Sequence, residues 1–212
     1  MTDAARKPGR PRSVEADRAI FTKTLELLTD EGLRGLSVEK VAEQAGVAKT
    51  TIYRRFPTKR DLVRAALASV AGFGQLDPPD TGSIRSDLYE LARARVDVLK
   101  RTRTQLLMPR LMAEAGSDSD LHALILTVFA NPARDVVIRA LRRGVERGEL
   151  REDVDVELLT DLLAGLTVYR LLYSRGELRG LAARIEAAID VLLDGAAVGS
   201  RPGRAHSRSA AD

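Results

Sequence analysis

The strongest constraint in this 212-residue chain is the spacing of its apolar residues. Leucine, alanine and valine recur three and four positions apart almost throughout, whereas valine, isoleucine and threonine never line up in an alternating run. The first pattern stacks apolar side chains on one face of an α-helix, and the second is what a half-buried strand requires. An all-α fold is therefore expected, with glycine and proline as its punctuation. A first helix is predicted over 14–31, with Ile20, Leu25, Leu27 and Leu28 inward and Gly32 placed to stop it. Ser37 is a good N-cap for a short helix burying Val38, Val41, Ala42 and Ala45, although Lys40 leaves its capping box incomplete. Gly46 then forces a turn and Val47 opens a second short helix, which together give helix-turn-helix geometry. Thr58 with Asp61 forms a capping box for a further helix carrying Leu62, Val63, Ala66 and Leu67.

The stretch AGFGQLDPPDTG, residues 71–82, is the clearest domain boundary, separating an N-terminal three-helix helix-turn-helix unit over 14–74 from a larger helical bundle over 80–196. In the second unit helices are predicted over 83–102, 105–115 and 117–147, followed by two more, for about nine in total. Pro132 should kink or break the long segment near Asn131, and Pro109 raises the same question in the shorter one. The ending GSRPGRAHSRSAAD reads as a disordered tail over 197–212.

The net charge of +4 is unevenly spread: residues 1–75 hold 14 Lys/Arg against 9 Asp/Glu, and residues 76–212 hold 20 against 21. A basic N-terminal third beside a neutral remainder points to an anionic partner for that third. Cysteine is absent and His122 and His206 are the only histidines, which excludes disulfide frameworks, thiol nucleophiles and Cys/His metal clusters. No paired carboxylates stand out on an apolar face, so no catalytic site, metal or cofactor is expected. No run reaches the ~18 uninterrupted apolar residues that suggest a membrane helix, and no apolar stretch follows the basic N-terminus as in a secretory signal. A cytoplasmic protein without a membrane partner is expected.

The string GVAKTTIYRRFPTKRDLV, residues 46–63, concentrates hydrogen-bonding and cationic groups around Val47, Ile52 and Phe56. Ile52 and Phe56 share an inward face, leaving Lys49, Thr50, Thr51, Tyr53 and Arg54 mainly on the others. Such a helix suits a major groove, where Arg and Lys bond guanine edges, threonine methyls meet thymine methyls, and cations anchor on phosphates. A merely solvated face would have a similar composition; the two-helix geometry and the charge asymmetry favour DNA.

Residues 14–74 resemble the DNA-binding domain of TetR-family transcriptional regulators. The match runs through Ile20, Leu27, Leu28, Glu31, Gly32, Ser37, Val41, Ala42, Ala45, Gly46, Val47, Ile52, Tyr53, Arg55, Phe56, Lys59 and Leu62. The resemblance implies a helix-turn-helix over 37–56, with Ser37 at the DNA surface, Lys49, Thr50 and Thr51 near bases, and Tyr53, Arg54 and Lys59 on phosphates. Ala48 stands where the family usually has Ser or Thr, so a hydroxyl is missing there.

The segment 140–178 also resembles the C-terminal domain of one TetR subgroup, in which the last two helices pair with those of a second subunit. Leu159, Leu162, Leu166, Tyr169 and Tyr173 keep a three-four spacing, as do Leu178, Leu181, Ile185, Ala188 and Leu192. A further row at Leu158, Leu163, Val168 and Leu172 exceeds what one buried face requires: either a second subunit covers it or both rows meet the subunit's own core. The resemblance implies a homodimeric repressor on a palindromic operator, released by a small-molecule effector held within 83–175. Met108, Met112, His122, Phe129 and Tyr169 are candidate pocket residues, each with ordinary core packing as the alternative.

The opening stretch RKPGRPR, within a flexible basic arm over 1–13, carries Arg10 and Arg12 just ahead of the first helix. An extended arm there could lay both arginines in a minor groove. It partly resembles an AT-hook, with Pro8 in place of the first arginine of the Arg-Gly-Arg-Pro core; a solvated tail is the alternative. The competing function is a non-specific architectural nucleic-acid binder.

Overall fold

The computed structural model describes residues 12–173 and 177–196, so Arg10, most of the basic arm and the tail over 197–212 lie outside the described residues. Those described form helices and no strand. The N-terminal unit consists of α1 (Arg12–Gly35), α2 (Val38–Ala45), α3 (Lys49–Arg55) and α4 (Lys59–Ala68). Arg12 opens α1, two residues before the expected start; its side chain is not among those described. Gly32 interrupts α1 with a left-handed φ of 74°, and the last residues form a separate turn.

The capping signals fold as the sequence suggests. Ser37 Oγ accepts the Lys40 N–H at 3.2 Å, and Gly46 closes α2 in the left-handed region at φ 66°. Thr58 and Asp61 form a reciprocal capping box at the start of α4. Ala48 caps α3 with no side-chain hydrogen bond.

A short 3-10 turn (Gly72–Gln75) leads to the larger bundle: α5 (Ile84–Thr102), α6 (Thr104–Ala115), α7 (Ser119–Ile125), α8 (Asn131–Glu146), α9 (Val156–Tyr173) and α10 (Leu181–Ala196). A π-helical turn over Leu126–Ala130 joins α7 to α8 into one rod, giving nine helical rods among the described residues. That turn explains why Pro132 does not break the rod. Proline has no N–H and its ring collides with the carbonyl four residues back, but here the spiral widens just before it and Asn131 N–H bonds Leu126 O five residues earlier. Pro109 likewise lies inside α6 without ending it.

The rod Ser119–Glu146 is long and apolar enough to cross a membrane by length and composition. In this fold its Val136, Ala140 and Leu141 are buried in the bundle core and its Leu121 in the N-terminal one.

The linker after α4 is stapled rather than loose. Asp87, fully buried, accepts the Thr81 N–H and hydroxyl, both at 2.7 Å, and an Arg147 N–H at 3.0 Å. Burial pushes the Asp87 carboxyl up, but these donors more than offset it and its pKa lies below the ordinary value. Arg147 also reaches Asp80 and Glu149, and Glu149 accepts the Ile84 N–H at 2.7 Å at the start of α5.

Two apolar cores result, and the boundary read in the sequence does not separate them. Ile20, Leu28, Val41, Ile52, Leu62 and Leu67 pack together in the N-terminal unit, but Leu107, Leu111, Ala115 and Leu121 from α6 and α7 complete that same core. The head therefore cannot bury its apolar surface without the bundle. The other core joins α5, α8, α9 and α10.

Candidate nucleic-acid interface and internal cavity

The turn Gly46, Val47, Ala48 sets α3 beside α2, with Ile52 fully buried and Phe56 packed on Phe21 at 5.7 Å between ring centres. Arg55 is ion-paired to Asp17 and so ties α3 to α1. Burying this stripe turns the rest of α3 outward: Lys49, Thr50, Tyr53 and Arg54 are exposed and Thr51 is half-buried. Arg54 has no ion-pair partner among the described residues. Lys49 shares a salt bridge with Glu39 of α2 at 3.3 Å, which DNA would have to compete for.

Two predicted contact residues also have internal duties. Ser37 spends its oxygen on capping α2, leaving its hydroxyl proton to donate. Lys59 donates to the carbonyls of Leu33 and Leu36, at 2.7 and 2.8 Å, so its ammonium first closes the break at the end of α1. One N–H remains for an outside acceptor.

A cavity of about 480 Å³ opens inside the bundle, bounded by α5, α6, the α7–α8 rod, α9 and α10. Its volume falls within the ~300–1,000 Å³ typical of small-molecule sites. Met108, Met112, His122 and Phe129 line it, with His122 and Met112 at its exposed rim. Tyr169 does not line it. Its position on α9 turns outward, and the ring is 58% exposed and packed on Tyr173 at 4.9 Å.

Sequence reasoning missed Arg95 on the cavity wall. The signal was present: Leu88, Leu91, Ala92, Arg95, Val98 and Leu99 follow one helical stripe, and a lone arginine on it must either snorkel out or face an interior space. Glu114 was missed as well. Its Oε2 accepts the Leu33 N–H at 2.9 Å, a donor exposed by the Gly32 break, so α6 grips the junction leading into α2.

The expected dimer stripe divides in two. Leu159, Leu181 and Ile185 are buried in the subunit's own core, and Leu166, Leu178 and Leu192 pack against it half-buried. They turn inward because α9 and α10 lie against α5 and α8, leaving Leu162, Tyr169 and Tyr173 facing out. Leu158, Leu172 and Val191 join these on the surface.

The comparisons agree with this architecture. The family model described as bacterial regulatory proteins, tetR family, matches residues 20–66, and that of the tetracyclin repressor-like C-terminal domain matches residues 78–195. The chain belongs to the TetR family of transcriptional regulators. The HTH-type transcriptional regulator YdeS of Bacillus subtilis is 33% identical over 171 residues, 81% of this chain and 85% of that protein. The DNA-binding transcriptional repressor TetR of Mycobacteroides abscessus is 34% identical over 157 residues, 72% of this chain and 80% of that protein. Among solved structures, the TetR family transcription regulator SCO0332 is 34% identical with a TM-score of 0.63, covering 85% of this chain and 98% of that one. Bacillus subtilis FadR, in complex with stearoyl-CoA, shares the fold at 20% identity and a TM-score of 0.71, covering 84% of this chain and 98% of that one. This TetR-family protein is thus a DNA-binding helix-turn-helix regulator in a family of regulators, not of enzymes.

Proposed function

We propose that this TetR-family regulator is a cytoplasmic homodimeric repressor that holds a palindromic operator and lets go when a small molecule enters the bundle cavity. The observation carrying the ligand-release step is the two-faced character of α6. Leu107, Leu111 and Ala115 complete the DNA-binding head's core, while Met108 and Met112 line the cavity. Because Glu114 on the same helix holds Leu33 beside the start of α2, a ligand that shifts α6 also shifts the head. A preference of ~1–3 kcal/mol for the shifted arrangement suffices to change DNA affinity several-fold to a hundredfold.

At the DNA, Lys49, Thr50 and Thr51 face the base edges, and Tyr53, Arg54, Ser37 and the remaining Lys59 donor serve phosphates. Arg10 and Arg12 extend the contact into a neighbouring minor groove. Dimerisation uses the exposed row Leu158, Leu162, Tyr169, Leu172 and Tyr173 on α9 with Val191 on α10. Gly165 lies within that row with nothing within 4 Å of an added Cβ, which allows two copies of α9 to approach closely. An isologous contact of this kind sets two α3 helices for half-sites about one helical turn, ~34–36 Å, apart.

The test needs no knowledge of the effector. Ala92→Phe fills the cavity from α5 and mimics occupancy. It should keep the helical signal and lower operator affinity at least several-fold, read by anisotropy of a labelled duplex; unchanged affinity in a folded variant would break the link between cavity and head.

A further inference from the structure

The cavity wall is nearly all apolar except for one unanswered charge. Among its lining residues there is no aspartate or glutamate. Arg134 is ion-paired to Asp161, and His122 lies at the exposed rim. Arg95 projects from the apolar stripe of α5 onto the cavity wall, half-buried among apolar neighbours, and this partial burial holds its pKa below that of an ordinary guanidinium. Its one close polar-type contact among the described residues is with the Phe73 ring, 5.0 Å from guanidinium carbon to ring centre. A cation–π contact satisfies one face of a guanidinium, not the five N–H donors at its edge. A partly desolvated cation facing an apolar wall without a counter-charge is unfavourable to the empty protein.

From this placement we propose that the cavity takes an amphipathic anion: an apolar body lying against Leu91, Met108, Phe129 and Leu163, with an oxyanion head, carboxylate, sulfonate or phosphate, paired in fork geometry with Arg95. The inference deepens the effector-release reading by naming the ligand's chemistry. The pairing neutralises the cation in a low-dielectric site, where a charge-assisted bidentate bond is strongest. Thr104, buried on the same cavity wall, already shares its hydroxyl with Thr102 and carries no charge to answer the cation. A neutral or cationic molecule of the same shape would bury the guanidinium further without answering it.

The test uses a matched pair of dyes that fluoresce in apolar sites: anilinonaphthalene sulfonate, and its uncharged parent phenylnaphthylamine. The full chain, free of DNA, should bind the sulfonate more tightly than the parent. Arg95→Met should lose at least about tenfold for the sulfonate while keeping the parent, and Arg95→Lys, which keeps the charge but not the fork, should fall between Arg95→Met and the original protein. With the unpaired cation removed, Arg95→Met should also melt about 2–4 °C higher than the original when no ligand is present. Equal binding of the two dyes by the original protein, sulfonate binding undiminished in Arg95→Met, or no sulfonate binding at all would overturn the proposal. Should Arg95→Met fail to fold, Arg95→Gln carries the same dye comparison, and loss of folding in both would show a structural role instead.

The dye measurement is independent of DNA. If it succeeds and decanoate displaces the sulfonate yet leaves operator binding unchanged, the release reading fails and the anion site stands. If release is seen with decanol as readily as with decanoate, the anion inference fails and release stands.

Discussion

Arg54 and Thr50 are both exposed on α3, four positions apart, yet they should fail differently when shortened. Arg54 has no ion-pair partner among the described residues and is suited to a phosphate. Arg54→Ala should weaken binding to every duplex alike and reduce the salt slope by about 1, measured by titrations at two salt concentrations. Thr50→Ala removes a hydroxyl and a methyl that can meet base edges and should relax preference at one base pair by about 1–3 kcal/mol, leaving the salt slope intact. Equal losses on all sequences for both variants would show that α3 does not divide its residues in this way. The exposed polar face of α3 was legible because its residues sit in one contiguous string around the buried Ile52. Arg95 was legible only as a lone cation on an apolar stripe, and Glu114 not at all, since their meaning comes from what α5 and α6 are packed against.

Among elements, the break in α1 and the linker staple carry the most specific demands. Gly32 combines a φ of 74° with a Cβ position that would collide with the Glu114 carboxylate. Gly32→Ala should therefore cost about 1–3 kcal/mol and disturb the Leu33 to Glu114 hydrogen bond, which thermal unfolding checks directly. Asp87 gives a pH signature. Its folded-state pKa is depressed, so its contribution is complete above the unfolded carboxylate value, ~3.9, and is lost as pH falls through the lower folded value. Asp87→Asn should lower stability near neutrality by about 3 kcal/mol and flatten the acid-side loss, read by urea titrations at several pH values. Unchanged acid sensitivity in the variant would place that loss elsewhere. The helix ends were readable because caps are local chemistry: Ser37, Gly46, Thr58 and Asp61 each act within a few residues. Pro132 shows in the sequence as a disruption near Asn131, but only the fold shows the form it takes, a π-turn over Leu126–Ala130 that keeps one rod.

At the scale of the whole molecule, two units that look separable in the sequence share a core, and the shared helix is also the wall of the cavity. Periodicity gave α9 two apolar rows but could not say which faced the subunit's own core, since Leu159 and Leu162 differ only in what α5 and α8 cover. The exposed row predicts that Leu162→Glu with Tyr169→Glu yields a folded monomer by light scattering, with operator affinity reduced at least tenfold (~1.4 kcal/mol) because two half-sites are no longer read together. A dimer surviving both charges would move the interface elsewhere. The most direct test of the central claim is selection of bound duplexes from a random-sequence pool by the full chain. A sequence-specific dimer should enrich one inverted repeat with half-sites about one helical turn apart and bind it roughly a thousandfold or more above scrambled duplex. A pool that stays unenriched, with equal affinity for every duplex, would contradict it.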